Sequence, residues 1–168
     1  QGASLIDLGA MTSKPGSQYI SQDEELKLLI PAVEVLIKSF PDLILSIDTH
    51  RSQTAQLCLD KGAHIINDIT GGNGDSNMFS LIADYQVPYI MMHMKGEPKN
   101  MQVSPSYSDV MLEIIDFFIQ KLGQLRKMHI HDVILDPGFG FGKMIEHNYT
   151  ILNRLKEFTM LDCPILVG

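Results

Sequence analysis

The sequence predicts an α/β protein of the (β/α)8, or TIM, barrel class, of which this chain supplies roughly strands 2 to 7. Three observations lead there. Six short apolar runs alternate with amphipathic helical stretches, and no hairpin signal joins any two of them. The runs are nearly continuous in apolar residues, as strands buried on both faces are. Polar residues recur late in the runs or just after them. An open doubly wound sheet gathers its ligand groups at one switch point, whereas a barrel takes them from the carboxyl ends of many strands.

The elements follow in order. "LIDLGA" (Leu5–Ala10) is the first strand run. Asp23 to Ser39 places Leu26, Leu29, Ile30, Val33, Leu36 and Ile37 on one helical face, with Ser21 or Gln22 as its cap and Pro41 after its end. "LILSIDT" (Leu43–Thr49) is the second strand, and Gln53 to Lys61, closed by Gly62, the second helix. "HIINDIT" (His64–Thr70) is the third strand, followed by a short helix from Asn77 to Tyr85. "PYIMMHM" (Pro88–Met94) is the fourth, followed by the longest helix, Ser108 to Met128, with Val110, Ile114, Phe117, Phe118 and Leu122 on one side. "DVILDPG" (Asp132–Gly138) is the fifth, followed by a helix from His147 to Phe158. "PILVG" (Pro164–Gly168) is the sixth.

Length and composition agree with one domain, residues 1–168. An apolar run begins almost at once, at Ser4, and the chain stops inside another, so the domain reads as incomplete at both ends. A hydrophobic fraction of 45% suits a soluble globular protein with a packed core. The net charge of −7 argues against a nucleic-acid binder, which presents a basic face. No apolar run approaches the ~20 residues that span a bilayer. Gln1 to Gly9 lacks a basic start and a long apolar stretch, so no secretory leader is expected there. Cys58 and Cys163 have no CxxC spacing and read as reduced thiols of a cytoplasmic protein.

The strand-end residues are Asp7, Asp48, the pair Asn67–Asp68, His93 and Asp136. Burying an unpartnered carboxylate costs several kcal/mol, so repeating one on successive strands suggests a shared polar mouth. Each position has a plainer reading beside it. Asp7 faces either the barrel interior or a helix. Asp48 either serves the mouth or caps the next helix, and Asn67–Asp68 carries the same ambiguity. His93, between two methionines, is more often a satisfied core histidine than a ligand, and His64 reads as structural. No histidine pair has metal-ligand spacing, so a zinc site is not expected. "PGFGFG" after Asp136 is either loop chemistry or a close approach of backbone amides to a flat ligand or an anion. It is neither a dinucleotide fingerprint nor a Walker loop.

Four stretches carry a resemblance. "ILDPGFGFGK" with "EHNYTILNRL", "PYIMMHMKGEPKNMQ", "SIDTHRSQTAQLCLDKGAHIINDITGG" and "IDLGAMTSKPGS" resemble, in order and over essentially the whole chain, the motifs of the dihydropteroate synthase family. That resemblance implies a barrel, usually a homodimer, acting in folate biosynthesis in the cytoplasm and open to sulfonamides. The reaction it implies joins 6-hydroxymethyl-7,8-dihydropterin pyrophosphate to 4-aminobenzoate, giving 7,8-dihydropteroate and pyrophosphate, with Mg²⁺. By resemblance, Asp136 pairs with the pterin's amino-pyrimidine edge, and Asn67 and Asp48 read its other edges. Met92 packs on the pterin face, and Gly140 and Phe141 border the site, with Phe141 near the aminobenzoate. Ser13 and Lys14 fall at the loop near the aminobenzoate and pyrophosphate. Asp48 and Asp136 are the expected catalytic residues; no protein metal ligand is expected in this segment.

The chain also departs from the family pattern. Met11, Thr12, Ser13 and Lys14 stand where glutamate, serine, threonine and arginine are common. Lysine keeps the charge and loses the bidentate fork. The family's first-strand asparagine for Mg²⁺ has no counterpart here, and its serine–arginine–lysine–serine motif would follow Gly168. A chain of this extent alone is expected not to turn over and to leave an exposed sheet edge. Two other readings stand beside the synthase: a corrinoid-type pterin-binding methyltransferase domain, which "MHMKG" and "GFGFGK" disfavour, and a non-catalytic pterin-binding module.

Overall fold

A computed structural model describes residues 2–11, 20–96 and 105–168. Five strands, β1 (Leu5–Gly9), β2 (Ile44–Asp48), β3 (Ile65–Asp68), β4 (Tyr89–Met92) and β5 (Val133–Asp136), form one parallel sheet in the order of the sequence. A doubly wound sheet reverses its strand order at a switch point. This one does not reverse, as an arc of a (β/α) barrel requires. The sixth expected strand is only a bridge. Leu135 donates its N–H to Pro164 O and accepts from Leu166 N–H, both at 2.9 Å, and no longer ladder is found there.

The helices between strands are α1 (Gln22–Ser39), α2 (Ser52–Asp60), α3 (Met78–Tyr85), α4 (Val110–Lys127) and α5 (Ile145–Asn153). Ser21 caps α1 through a capping box, taking the Glu24 N–H while the Glu24 carboxylate takes the Ser21 N–H at 2.8 Å. Asp109 caps α4, accepting from Met111 and Leu112 N–H. The last helix is shorter than its apolar spacing suggests. It stops at Asn153, and Leu155–Leu161 continues as a 3-10 helix that seats Phe158 edge-on against Phe118, with centroids 6.1 Å apart.

Strand side chains alternate between two faces. Leu45, Ile47, Ile66, Tyr89, Met91 and Leu135 face the helices and meet Val33, Cys58, Ile82, Ile114 and Phe118 in the core. Each such residue contributes about 1.5–3 kcal/mol relative to exposure. The other face carries Asp48, Asn67 and Asp136. Among the described residues, no helix is long and apolar enough to cross a membrane. Cys58 is buried and Cys163 partly so, both as free thiols.

Candidate functional site

The face away from the helices follows from register. Gly9, Asp48, Asn67 and Ile90 stand side by side across four strands, and Met92 stands beside Asp136 two residues further along the last two. All these residues are near the carboxyl ends, so β2, β3 and β5 present Asp48, Asn67 and Asp136 to one side of one sheet. Gly9 makes this possible next to Asp48: a Cβ on it would lie 3.2 Å from both Cβ and Oδ2 of Asp48.

Asp48 is not a helix cap. The first turn of α2 takes its acceptor from the next loop, where Asp75 Oδ2 receives the Ser52 N–H at 2.8 Å and hydroxyl at 2.7 Å. Among the described residues, the Asp48 carboxylate has no hydrogen-bond partner. Burial, then the negative charges of Asp7, Asp68 and Glu25, push its carboxyl up from 3.8 to about 7. Asn67 donates from Nδ2 to Asp7 Oδ2 at 3.0 Å. Asp7 therefore faces the mouth, and the partner on Nδ2 leaves Asn67 Oδ1 to accept from a ligand. Asp68, one residue on, points the other way. Fully buried, it accepts from Thr70 N–H and hydroxyl, Gly72 N–H and the Tyr89 hydroxyl, so it is structural.

Asp136 spends one lone pair locally, accepting the Gly138 N–H at Oδ1 at 2.7 Å, and keeps Oδ2 for a ligand. Burial raises its pKa, opposed by the Gly138 N–H and by the charge of Lys143. The glycines that follow do different things. A Cβ on Gly138 would collide with His93 O, and one on Gly142 with Lys95 O. Both keep the loop packed on the end of β4. Of the three, Gly140 alone opens onto free space, with nothing within 4 Å of a built Cβ. Its N–H donates to Asn148 Oδ1 at 2.9 Å, which fixes the tip against α5. Phe141 is half-buried beside it, and Met92 is buried beneath the turn.

Several structural partners were not singled out in the sequence. Glu25 of α1 is 1% exposed and accepts from the Thr49 and Thr54 hydroxyls at 2.8 and 3.0 Å and from the Arg51 guanidinium. This network clamps the loop after β2. Lys143 is buried, with its ammonium among His93 and Phe141 acceptors. His93 is a core histidine, edge-on to Phe117 at 5.1 Å, and His64 accepts Leu45 N–H at Nδ1. Ser46 Oγ, on the ligand face two residues before Asp48, is buried without a partner among the described residues. Ser13 and Lys14 lie outside the described residues. The described residues contain no group of three or more His, Cys, Asp or Glu able to hold a metal ion.

The family model described as pterin binding enzyme matches residues 1–168. The dihydropteroate synthase of Escherichia coli strain K12 is 39% identical over 169 aligned positions, covering 99% of this chain. This chain spans 59% of that relative's length. The Yersinia pestis dihydropteroate synthase, solved with a sulfonamide drug complex, superposes with a TM-score of 0.95 at 40% identity, covering 99% of this chain and 61% of that one. The Thermus thermophilus enzyme, solved with 4-aminobenzoate, gives 0.91 at 36% identity, with 99% and 63% covered.

Proposed function

Because the chain belongs to the pterin-binding enzyme family, we propose that the full-length protein is a dihydropteroate synthase. It condenses 6-hydroxymethyl-7,8-dihydropterin pyrophosphate with 4-aminobenzoate, releasing pyrophosphate, and so is a transferase of folate biosynthesis. The observation that carries this reading is the shared face: Asp48 and Asn67 side by side, and Met92 beside Asp136, at the carboxyl ends of parallel strands.

A pterin offers two adjacent N–H donors on its amino-pyrimidine edge. Asp136, with Oδ2 uncommitted, accepts them as parallel charge-assisted bonds. Asn67, held at Nδ2 by Asp7, presents Oδ1 to a further N–H. Asp48 lies beside it, and once its carboxyl ionises, above about pH 7, its charge joins that of Asp7 in favouring positive charge on the pterin methylene as the bond to pyrophosphate breaks. Gly140 and Phe141 form the rim beside the arriving arylamine, and the resemblance alone assigns Ser13 and Lys14 to the aminobenzoate and pyrophosphate. The arylamine is the nucleophile, so no enzyme nucleophile is required.

Mg²⁺ belongs to this reading by resemblance. The described residues of this chain offer it no cluster, and no step here runs through it. The protein is taken to work as a homodimer in the cytoplasm. The test is an assay of the full-length protein with the pterin pyrophosphate, labelled 4-aminobenzoate and Mg²⁺. Labelled dihydropteroate should form, and a sulfonamide should compete with the aminobenzoate. Asp136→Ala should weaken pterin binding by about 1.5–3 kcal/mol, the range for a lost bond to a charged group. Absence of product refutes the reading, and unchanged pterin affinity in Asp136→Ala refutes the role given to that residue.

A further inference from the structure

Lys143 has no role in the scheme above, yet it is 3% exposed and all of its polar contacts are internal. Its Nζ lies 3.1 Å from His93 Nδ1, 3.1 Å from His93 O and 3.0 Å from Phe141 O. It therefore joins the end of β4 to the rim loop after β5. The same two segments meet in the sheet, where His93 N–H donates to Asp136 O at 2.9 Å. An ammonium this deep is costly unless an anion or good acceptors compensate it.

The titratable groups around it come from every neighbouring element. His93 and Lys95 lie at the end of β4. Tyr107, before α4, donates its hydroxyl to Gly142 O at 2.8 Å. Glu113 of α4 pairs with Lys95 at 2.6 Å, and His147 of α5 packs edge-on against Tyr107 at 4.8 Å. Asp136 lies at the end of β5. Of these, His93 is neutral: burial, then the charge of Lys143, takes it down to about 3, so it accepts the ammonium at Nδ1. Lys95 is engaged by Glu113. Asp136 is the anion whose field acts on Lys143.

We propose that Lys143 is a positioning residue for ligand recognition: its buried ammonium pins the rim loop to β4 and supplies the positive charge that keeps Asp136 ionised and able to accept. The inference rests on Asp136 being the acceptor for the pterin edge. Burial drives Asp136 up and Lys143 down to about 7, while each one's charge opposes the other's shift. A protonated Asp136 would offer a donor where two N–H groups need an acceptor, so affinity should fall as pH drops through its pKa. Without the Lys143 charge that fall begins at higher pH.

The experiment uses the full-length protein and measures the Kd of 6-hydroxymethyl-7,8-dihydropterin from acid to neutral pH. In Lys143→Met the acid limb should move up by about one pH unit, the low end of the effect of an adjacent opposite charge on a carboxylate. Lys143→Arg should restore the wild-type limb. If Lys143→Met does not fold, Lys143→Gln and Lys143→Arg replace the comparison, since both are polar and only arginine carries charge. Wild-type protein that binds no dihydropterin at any pH overturns both this inference and the pterin reading. Wild-type protein that binds, with variants whose limb does not move or whose affinity drops equally at every pH, overturns this inference alone.

Discussion

Replacing Asp48 by asparagine should stabilise the ligand-free fold near neutral pH while damaging the site. The carboxyl's value rises from 3.8 to about 7 on folding, so between those values the folded chain holds a proton that the unfolded chain has released. Stability contributed by that proton is fully present below 3.8 and is lost as pH climbs through about 7. A shift of roughly three units at 1.36 kcal/mol each gives about 4 kcal/mol, and partial solvent access reduces this to about 2–4 kcal/mol. An asparagine side chain cannot ionise, so the Asp48→Asn protein should lack this slope. The assay is urea unfolding of both full-length proteins without ligand at several pH values. The variant should gain on the wild type steadily between pH 3.8 and 7 and hold the advantage above. Two stability curves that run parallel across that interval would refute the argument that Asp48 is a buried acid surrounded by like charges. The same variant should turn over poorly above about pH 7, where the wild-type carboxyl is ionised and asparagine supplies no negative field at the pterin methylene.

Glu25→Ala leaves Arg51 and two threonine hydroxyls without their shared acceptor, and should cost about 3–5 kcal/mol in thermal or urea unfolding, as breaking a buried pair does. Gly138→Ala combines a φ of +69° with a methyl forced onto a carbonyl oxygen, and should cost about 3–5 kcal/mol. Gly140→Ala, at φ +80° with open space around it, should cost only about 1–2 kcal/mol. Equal unfolding midpoints for these two glycine variants would contradict the division of labour in the turn.

The strands were legible because each is a short apolar run closed by a polar residue, and sheet order followed from their spacing with helices. The ligand face was only half legible. In strands buried on both sides, composition does not say which of two neighbours faces the mouth: the resemblance alone singled out Asn67, and the Tyr89 hydroxyl donating to Asp68 shows where the neighbouring carboxylate goes. Asp48 kept a cap reading beside the site reading because the true acceptor, Asp75, comes from 23 residues away. The buried charges were missed for the same reason. Glu25 finds Thr49 across 24 residues and Lys143 finds His93 across 50, and no local pattern marks such pairs. The alternating glycines suggested room for a flat ligand. Two of them instead answer to carbonyl oxygens of the preceding stave, a contact that exists only once the sheet has formed. The run at Pro164–Gly168 has strand composition and still makes a single bridge, to Leu135.

That packing of Gly138 and Gly142 has an evolutionary corollary. A side chain at either position is rejected by backbone, not by a movable neighbour. Such variants would be removed through scarcity of folded protein before any altered ligand choice could be tested by selection. Within this turn, heritable adaptation to a new competitor or analogue is therefore open at the apex, at Gly140 and Phe141, and closed at Gly138 and Gly142.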